Sequence, residues 1–330
     1  MDKHLVSIEQ LNLESLNALF NYAEFLTPYA FTSKGTRVLE GAVLANLFFE
    51  PSTRTRISFG SAFNKLGGHV KDTSSVKFSS IVKGESLQDT SMVISGYCDA
   101  IVIRHPEIGT ARIIADSSRV PVINGGDGHG EHPSQALLDV FTIQKELKKQ
   151  PNNIKIAMIG DLKYGRTVHS LAKLLSMYKN IDFRFVAPPE VQMPSDIIDY
   201  IENKNNGHRV TITEDLQSTM EEVEVVYSTR IQQERFPDFE KFSKSLKINR
   251  IDAQLISKLK NKPVILHPLP RDSRPAFDEL SHDLNDYENL AIFKQTDNGI
   301  PVRMAIFCTL LGITQDQIIK NTFEKAWMKS

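Results

Sequence analysis

The apolar run Val43-Leu44-Ala45-Asn46-Leu47-Phe48-Phe49 gives way at once to Glu50-Pro51-Ser52-Thr53-Arg54-Thr55-Arg56. The run is short and uncharged, as expected of a parallel strand buried on both faces. Beyond it, Ile57, Phe59, Ala62, Phe63 and Leu66 recur at helical spacing, and Gly67-Gly68 closes the helix. Ser52 to Thr55 therefore sit where a strand hands over to a helix, among backbone N–H groups that suit an anion. Ser52, Thr53 and Thr55 add hydroxyl donors. Two arginines in a first helical turn oppose the helix dipole, which favours acids there. A multiply charged anion between them would resolve that conflict; a Ser/Thr cap with surface arginines is the plainer alternative.

The same alternation continues along the chain. Strands are expected at 68–73, 100–105 and 120–124 and, after the break Gln150-Pro151-Asn152-Asn153, at 154–159, 183–187, 210–213, 223–228, 264–267 and 291–294. Helices are expected at 7–26, 87–97, 108–117, 136–148, 167–178, 195–202, 301–311 and 315–328, and a polar loop at 74–85. This pattern predicts an α/β fold, and 330 residues suggest two domains, each a mostly parallel sheet flanked by helices. A formal net charge of -1 argues against electrostatic binding of nucleic acid or membrane. Cys98 and Cys308 lie in apolar surroundings and read as reduced core thiols. With neither a signal-peptide core nor an apolar run long enough for a bilayer, a cytoplasmic enzyme is expected.

Ligands of such sheets bind beyond the carboxyl ends of strands, where Ser52 to Thr55, Arg104, His132, Arg166, Arg230 and His267 all fall. Arg104 either pairs with a carboxylate or reads an anionic ligand. His132 precedes Pro133 and is a cap, a core histidine or a functional one. Asp127, His129, Glu131 and His132 are close in sequence but match no zinc or calcium spacing. The string Gly160-Asp161-Leu162-Lys163-Tyr164-Gly165-Arg166-Thr167 nearly spells a P-loop, but Arg166 stands where the lysine belongs. Arg230 and Gln232, two apart at a strand exit, are a surface pair or hold one carboxylate together. The prolines of His267-Pro268-Leu269-Pro270 stiffen a turn whose carbonyls could face a ligand. Ser79 and Lys83 belong to a polar stretch that is either solvated or a lid.

Ser52-Thr53-Arg54-Thr55-Arg56 after Phe48-Phe49-Glu50-Pro51, His132-Pro133-Ser134-Gln135, the 160–167 string, Arg230-Ile231-Gln232 and His267-Pro268-Leu269-Pro270 resemble, in order and spacing, the aspartate and ornithine carbamoyltransferases. The likeness runs from Phe48 to about Arg303. It implies a carbamoyl-phosphate site made by Ser52, Thr53, Arg54, Thr55, Arg104, His132, Gln135, Pro268 and Leu269, with Ser79 and Lys83 from a neighbouring subunit. Thr55, Arg104, His132 and Arg54 would be the catalytic set. Lys83, Arg166, Arg230, Gln232 and Leu269 would hold the second substrate. Two arginines suit the carboxylates of L-aspartate, whereas ornithine's ammonium would want an acid; the ornithine enzymes also carry a Cys in the turn where Pro268 stands. The implied reaction, without metal or cofactor, carbamoylates L-aspartate in an early step of pyrimidine biosynthesis. The resemblance further implies a homotrimer that regulatory chains could join. It places a carbamoyl-phosphate domain at 1–134 plus 300–330 and an aspartate domain at 135–299, closing over the substrates. A non-catalytic scaffold is the alternative from another class, but such a chain would be expected to lose charged ligands that are all present here.

Overall fold

In the computed structural model, residues 3–73, 84–236, 249–274 and 277–328 are described. They divide into two units, Met1–Ser134 with Asp297–Ser330, and Gln135–Thr296.

The first unit opens with two caps in succession. Ser7 caps a 3-10 turn at Ile8–Gln10, and Asn12 caps helix α1 (Leu13–Phe31), each in a reciprocal capping box. The single helix expected at 7–26 is thus split at its start and runs on through Pro28. Strands β1 (Lys34–Thr36) and β2 (Val43–Phe48) follow, then α2 (Thr53–Lys65), β3 (His69–Thr73), α3 (Leu87–Ile94), β4 (Ala100–His105), α4 (Thr110–Ser117) and β5 (Val122–Asp127). Helix α3 stops short of the expected 97, where Gly96 and Tyr97 form a turn onto Val93 and Ile94. β5 begins later than expected because Pro121 has no N–H and the Ser118 hydroxyl ties up Val120; it then runs through Gly125 and Gly126.

The sheet order is β3-β2-β4-β5, all parallel, with Phe48 beside Arg104 and Ile103 beside Asn124. Between them β2 and β4 are almost wholly buried, whereas β3 is an exposed edge. One core beneath this sheet joins Ala45, Leu47, Ile101 and Ile103 to Ala111 and Ile114.

Helix α5 (Pro133–Leu147) leads into the second unit, with Pro133 in the first helical position, where its missing N–H costs nothing. Strands β6 (Lys155–Gly160), β7 (Asp182–Val186), β8 (Arg209–Thr213), β9 (Val225–Thr229) and β10 (Val264–Leu266) each lie within about two residues of expectation. Between them run α6 (Arg166–Leu175), α7 (Ser195–Glu202), α8 (Leu216–Met220) and α9 (Ala253–Lys258). The parallel order β10-β9-β6-β7-β8 puts the carboxyl ends of β10, β9 and β6 side by side.

Two expectations for the C-terminal part fail. The piece at 291–294 is the start of helix α10 (Ile292–Leu310). Extended pairing is confined to Asn289 and Ala291 bridging Ile265, after which the chain turns helical. The expected helix at 315–328 ends early. α11 (Gln315–Lys320) stops at Asn321, and β11 (Thr322–Glu324) pairs antiparallel with β1. Phe323 lies flat over Gly35, where a Cβ would come within 2.5 Å of the ring, and stacks under Arg37 at 5.0 Å.

Candidate active site

In the first unit the turn after β2 is built as its residues suggest. Ser52 caps α2 from an extended backbone without a side-chain hydrogen bond, and the first turn contains no acid. Thr53 and Arg54 are exposed, and Thr55 and Arg56 half-buried. The donors of this turn therefore meet the surface beside two cations, which favours an anion. On the neighbouring strand, Arg104 donates from Nε to Glu50 Oε2 at 3.0 Å, with both side chains largely buried. Of the two readings of Arg104, the carboxylate partner is present. The next strand end carries His132, which is 3% exposed and sits immediately before α5.

The acids beside His132 have other work. Asp127 accepts the N–H groups of Glu131 (2.8 Å) and Gly109 (3.0 Å), and Glu131 accepts that of Ile8 (2.7 Å). They pin loops. Among the described residues no cluster of three or more His, Cys, Asp or Glu could hold a metal ion.

The second unit gathers the other candidates. Asp161, fully buried after β6, accepts Tyr164 N–H (2.9 Å) with one carboxylate oxygen and Gln232 N–H (3.0 Å) with the other. It thereby ties the loop that leads to Arg166, which is 7% exposed at the start of α6, to the loop of Arg230 and Gln232. Burial pushes the Asp161 carboxyl above its ordinary value, against the pull of these N–H groups. This geometry also weighs against the P-loop reading, because the loop's own carboxylate takes the Tyr164 N–H that would have to face a phosphate. Arg230 forks onto Glu234, with Nη2 to Oε1 at 2.5 Å and Nη1 to Oε2 at 3.1 Å.

Pro268 and Leu269 lie in the turn after β10, half-buried. Leu269 has a φ of 59°, costly for a branched side chain, and the Leu269-Pro270 bond is cis. The Leu269 N–H donates to His267 Nδ1 at 2.8 Å, so the ring proton lies on Nε2 and goes to Glu279 Oε1 at 2.9 Å. His267 is 1% exposed, and burial keeps its pKa below the usual histidine value although Glu279 pulls the other way. Gln135, half-buried near the start of α5, donates to Asp139 at 2.8 Å.

Ser79 and Lys83 lie outside the described residues. Within the first unit, Ser52 to Thr55, Arg104 and His132 share one sheet edge; within the second, Arg166, Arg230, Gln232, Pro268 and Leu269 do. The reading from residues missed Glu50, Asp161 and Glu234. Glu234 had a local signal, an acid four residues after an arginine; Glu50 and Asp161 act across the fold and had none.

Two segments place this edge chemistry in a class. Residues 3–145 match the carbamoyl-P binding domain of aspartate/ornithine carbamoyltransferases, and 152–310 match their Asp/Orn binding domain. The chain belongs to the aspartate/ornithine carbamoyltransferase family. It is 50% identical over 331 residues to the aspartate carbamoyltransferase catalytic subunit of Cellvibrio japonicus, covering 99% of this chain and 97% of that one. Its structure is similar to the catalytic subunit of M. jannaschii aspartate transcarbamoylase (TM-score 0.84, 44% identity, 94% and 98% of the two chains). It is also similar to aspartate transcarbamoylase from Trypanosoma cruzi in complex with carbamoyl aspartate and phosphate (TM-score 0.83, 38% identity, 92% and 94%).

Proposed function

We propose that this chain transfers the carbamoyl group of carbamoyl phosphate to the amine of L-aspartate, giving N-carbamoyl-L-aspartate and phosphate for pyrimidine biosynthesis. The observation that carries the choice of aspartate is that Asp161 accepts N–H groups from both the loop leading to Arg166 and the loop of Arg230 and Gln232, which supports reading the two arginines as partners of two carboxylates. The relatives named above, all aspartate enzymes, support the same reading.

The first unit binds carbamoyl phosphate and the second binds aspartate. Ser52, Thr53, Arg54, Thr55 and Arg104 hold the phosphate, joined by Ser79 and Lys83 of a neighbouring subunit in a homotrimer. Thr55, Arg104 and His132 donate to the carbamoyl oxygen, Gln135 accepts from its NH2 group, and Pro268 and Leu269 offer backbone carbonyls. Aspartate lies on Arg166, Arg230, Gln232, Leu269 and Lys83, its carboxylate replacing Glu234 on the Arg230 fork. Its amine attacks the carbonyl carbon; a C–N bond forms, the C–O bond to phosphate breaks, and the departing phosphate takes the amine proton. Each donor aimed at the developing oxyanion is worth about 2.7–4 kcal/mol. The two unpaired cysteines support a cytoplasmic setting.

The test is phosphate release from carbamoyl phosphate with L-aspartate or L-ornithine, following the carbamoylated product. Stimulation by aspartate alone is expected, and Arg54→Ala should abolish it in a folded protein. Stimulation by ornithine alone would overturn the second substrate; near-normal Arg54→Ala activity would overturn the phosphate site.

A further inference from the structure

Asp139 lies on α5 with no solvent exposure, and three donors converge on it. Its Oδ1 accepts from Gln135 Nε2 at 2.8 Å and Gln295 Nε2 at 2.6 Å; its Oδ2 accepts from the Tyr227 hydroxyl at 2.7 Å. Each donor leads outward. Gln135 is one helical turn away on α5 and half-buried. The Oε1 of Gln295 accepts the His267 N–H at 2.9 Å, and His267 Nδ1 in turn accepts the Leu269 N–H. Tyr227 hydrogen-bonds Thr167, next to Arg166.

An ionised carboxylate only accepts, so both glutamines must turn their NH2 groups toward Asp139 and their oxygens away. For Gln295 the consequence is visible: its oxygen meets an N–H. For Gln135 the oxygen is left facing outward as an acceptor. We infer that Asp139 is a positioning residue that fixes the amide of Gln135 so that its oxygen, not its nitrogen, meets the NH2 group of carbamoyl phosphate. The inference rests on the assignment of Gln135 to that NH2 group.

Asp139→Leu tests it with little change of shape. Leucine accepts nothing, so Gln135 Nε2 loses the oxygen that fixes it, and the amide is free to turn its NH2 group toward that of carbamoyl phosphate. The expected loss in kcat/KM for carbamoyl phosphate is about 10- to 100-fold, as when the partner behind a ligand-contacting group is removed. In a Gln135→Ala background the same substitution should cost less than about threefold, because no amide remains to misorient. Equal losses in the two backgrounds would overturn the positioning role while leaving Gln135 in place. Full activity of Gln135→Ala alone would overturn the assignment of Gln135, and the inference with it. If Asp139→Leu does not fold, neutron diffraction of the unaltered protein decides. Deuterons on Gln135 Nε2 pointing at a bare Asp139 carboxylate are expected; a deuteron on Asp139 facing the Gln135 oxygen would refute the inference.

Discussion

Asp161→Ala is the sharpest probe of how the aspartate side is held. The carboxylate satisfies two backbone N–H groups, those of Tyr164 and Gln232, on the two loops that bring Arg166 and Arg230 to one edge. A hydrogen bond to a charged group contributes about 1.5–3 kcal/mol, so the two together hold the loops by about 3–6 kcal/mol. Tyr164 and Gln232 are half-buried, and water reaching the released N–H groups reduces the loss to about 2–4 kcal/mol. The loops must be reassembled when aspartate binds, so this energy appears as a smaller competent fraction, about 30- to 1,000-fold in kcat/KM for aspartate. Steady-state kinetics with aspartate varied at saturating carbamoyl phosphate would measure it. Calorimetric titration with carbamoyl phosphate alone should be nearly unaffected, since that ligand is assigned mainly to the first unit. A folded Asp161→Ala protein with an unchanged aspartate response, or with both ligands weakened equally, would refute the tether.

His267 titrates low because it is buried, so the unfolded chain takes up its proton more readily than the folded one, and stability present above about pH 6.5 is lost as the pH falls below it. Urea unfolding at about pH 7.5 and about pH 5.5 should show a smaller drop for His267→Gln than for the unaltered protein, and equal drops would contradict this. Gly160 has a φ of 111° and a Cβ there would stand 2.0 Å from the Thr229 carbonyl oxygen, so Gly160→Ala should cost about 3 kcal/mol or more in denaturant unfolding. Lys325 Nζ donates to the carbonyls of Tyr29 (3.1 Å) and Thr32 (2.8 Å) at the end of α1; Lys325→Met should cost about 0.5–1 kcal/mol, read as a lowered Tm.

What was legible in the sequence was what short-range pattern encodes. The switch from Val43–Phe48 to Ser52 and Thr53 is a change of both polarity and period, and the chain turns there as read. The arginines at strand ends were equally visible, because a cation after an apolar run needs no tertiary knowledge to be noticed. Their partners were not: Glu50 meets Arg104 across two strands, and Asp161 meets Gln232 across a sheet edge. The start of α10 misled because Ala291-Ile292-Phe293-Lys294 is too short to separate a strand from a helix. β11 could not be foreseen, since Thr322–Glu324 becomes a strand by pairing with β1 near the other end of the chain.

That pairing, with the packing behind it, dictates an order of assembly during synthesis. Residues 135–296 are contiguous, so all of the second unit's own residues are present once that stretch has left the ribosome. Those of the first unit are not. Phe307 of α10 meets Phe59 and Phe63 at ring-centroid distances of 5.9 and 4.9 Å, and β11 completes the ribbon with β1. Until those late residues emerge, the apolar face of α2 stays unsealed through translation of the whole intervening unit, the interval in which nascent chains aggregate or engage chaperones. A message broken after residue 296 would therefore release a chain that has every residue of the second unit but lacks Phe307 and β11, which the first unit's core and ribbon need.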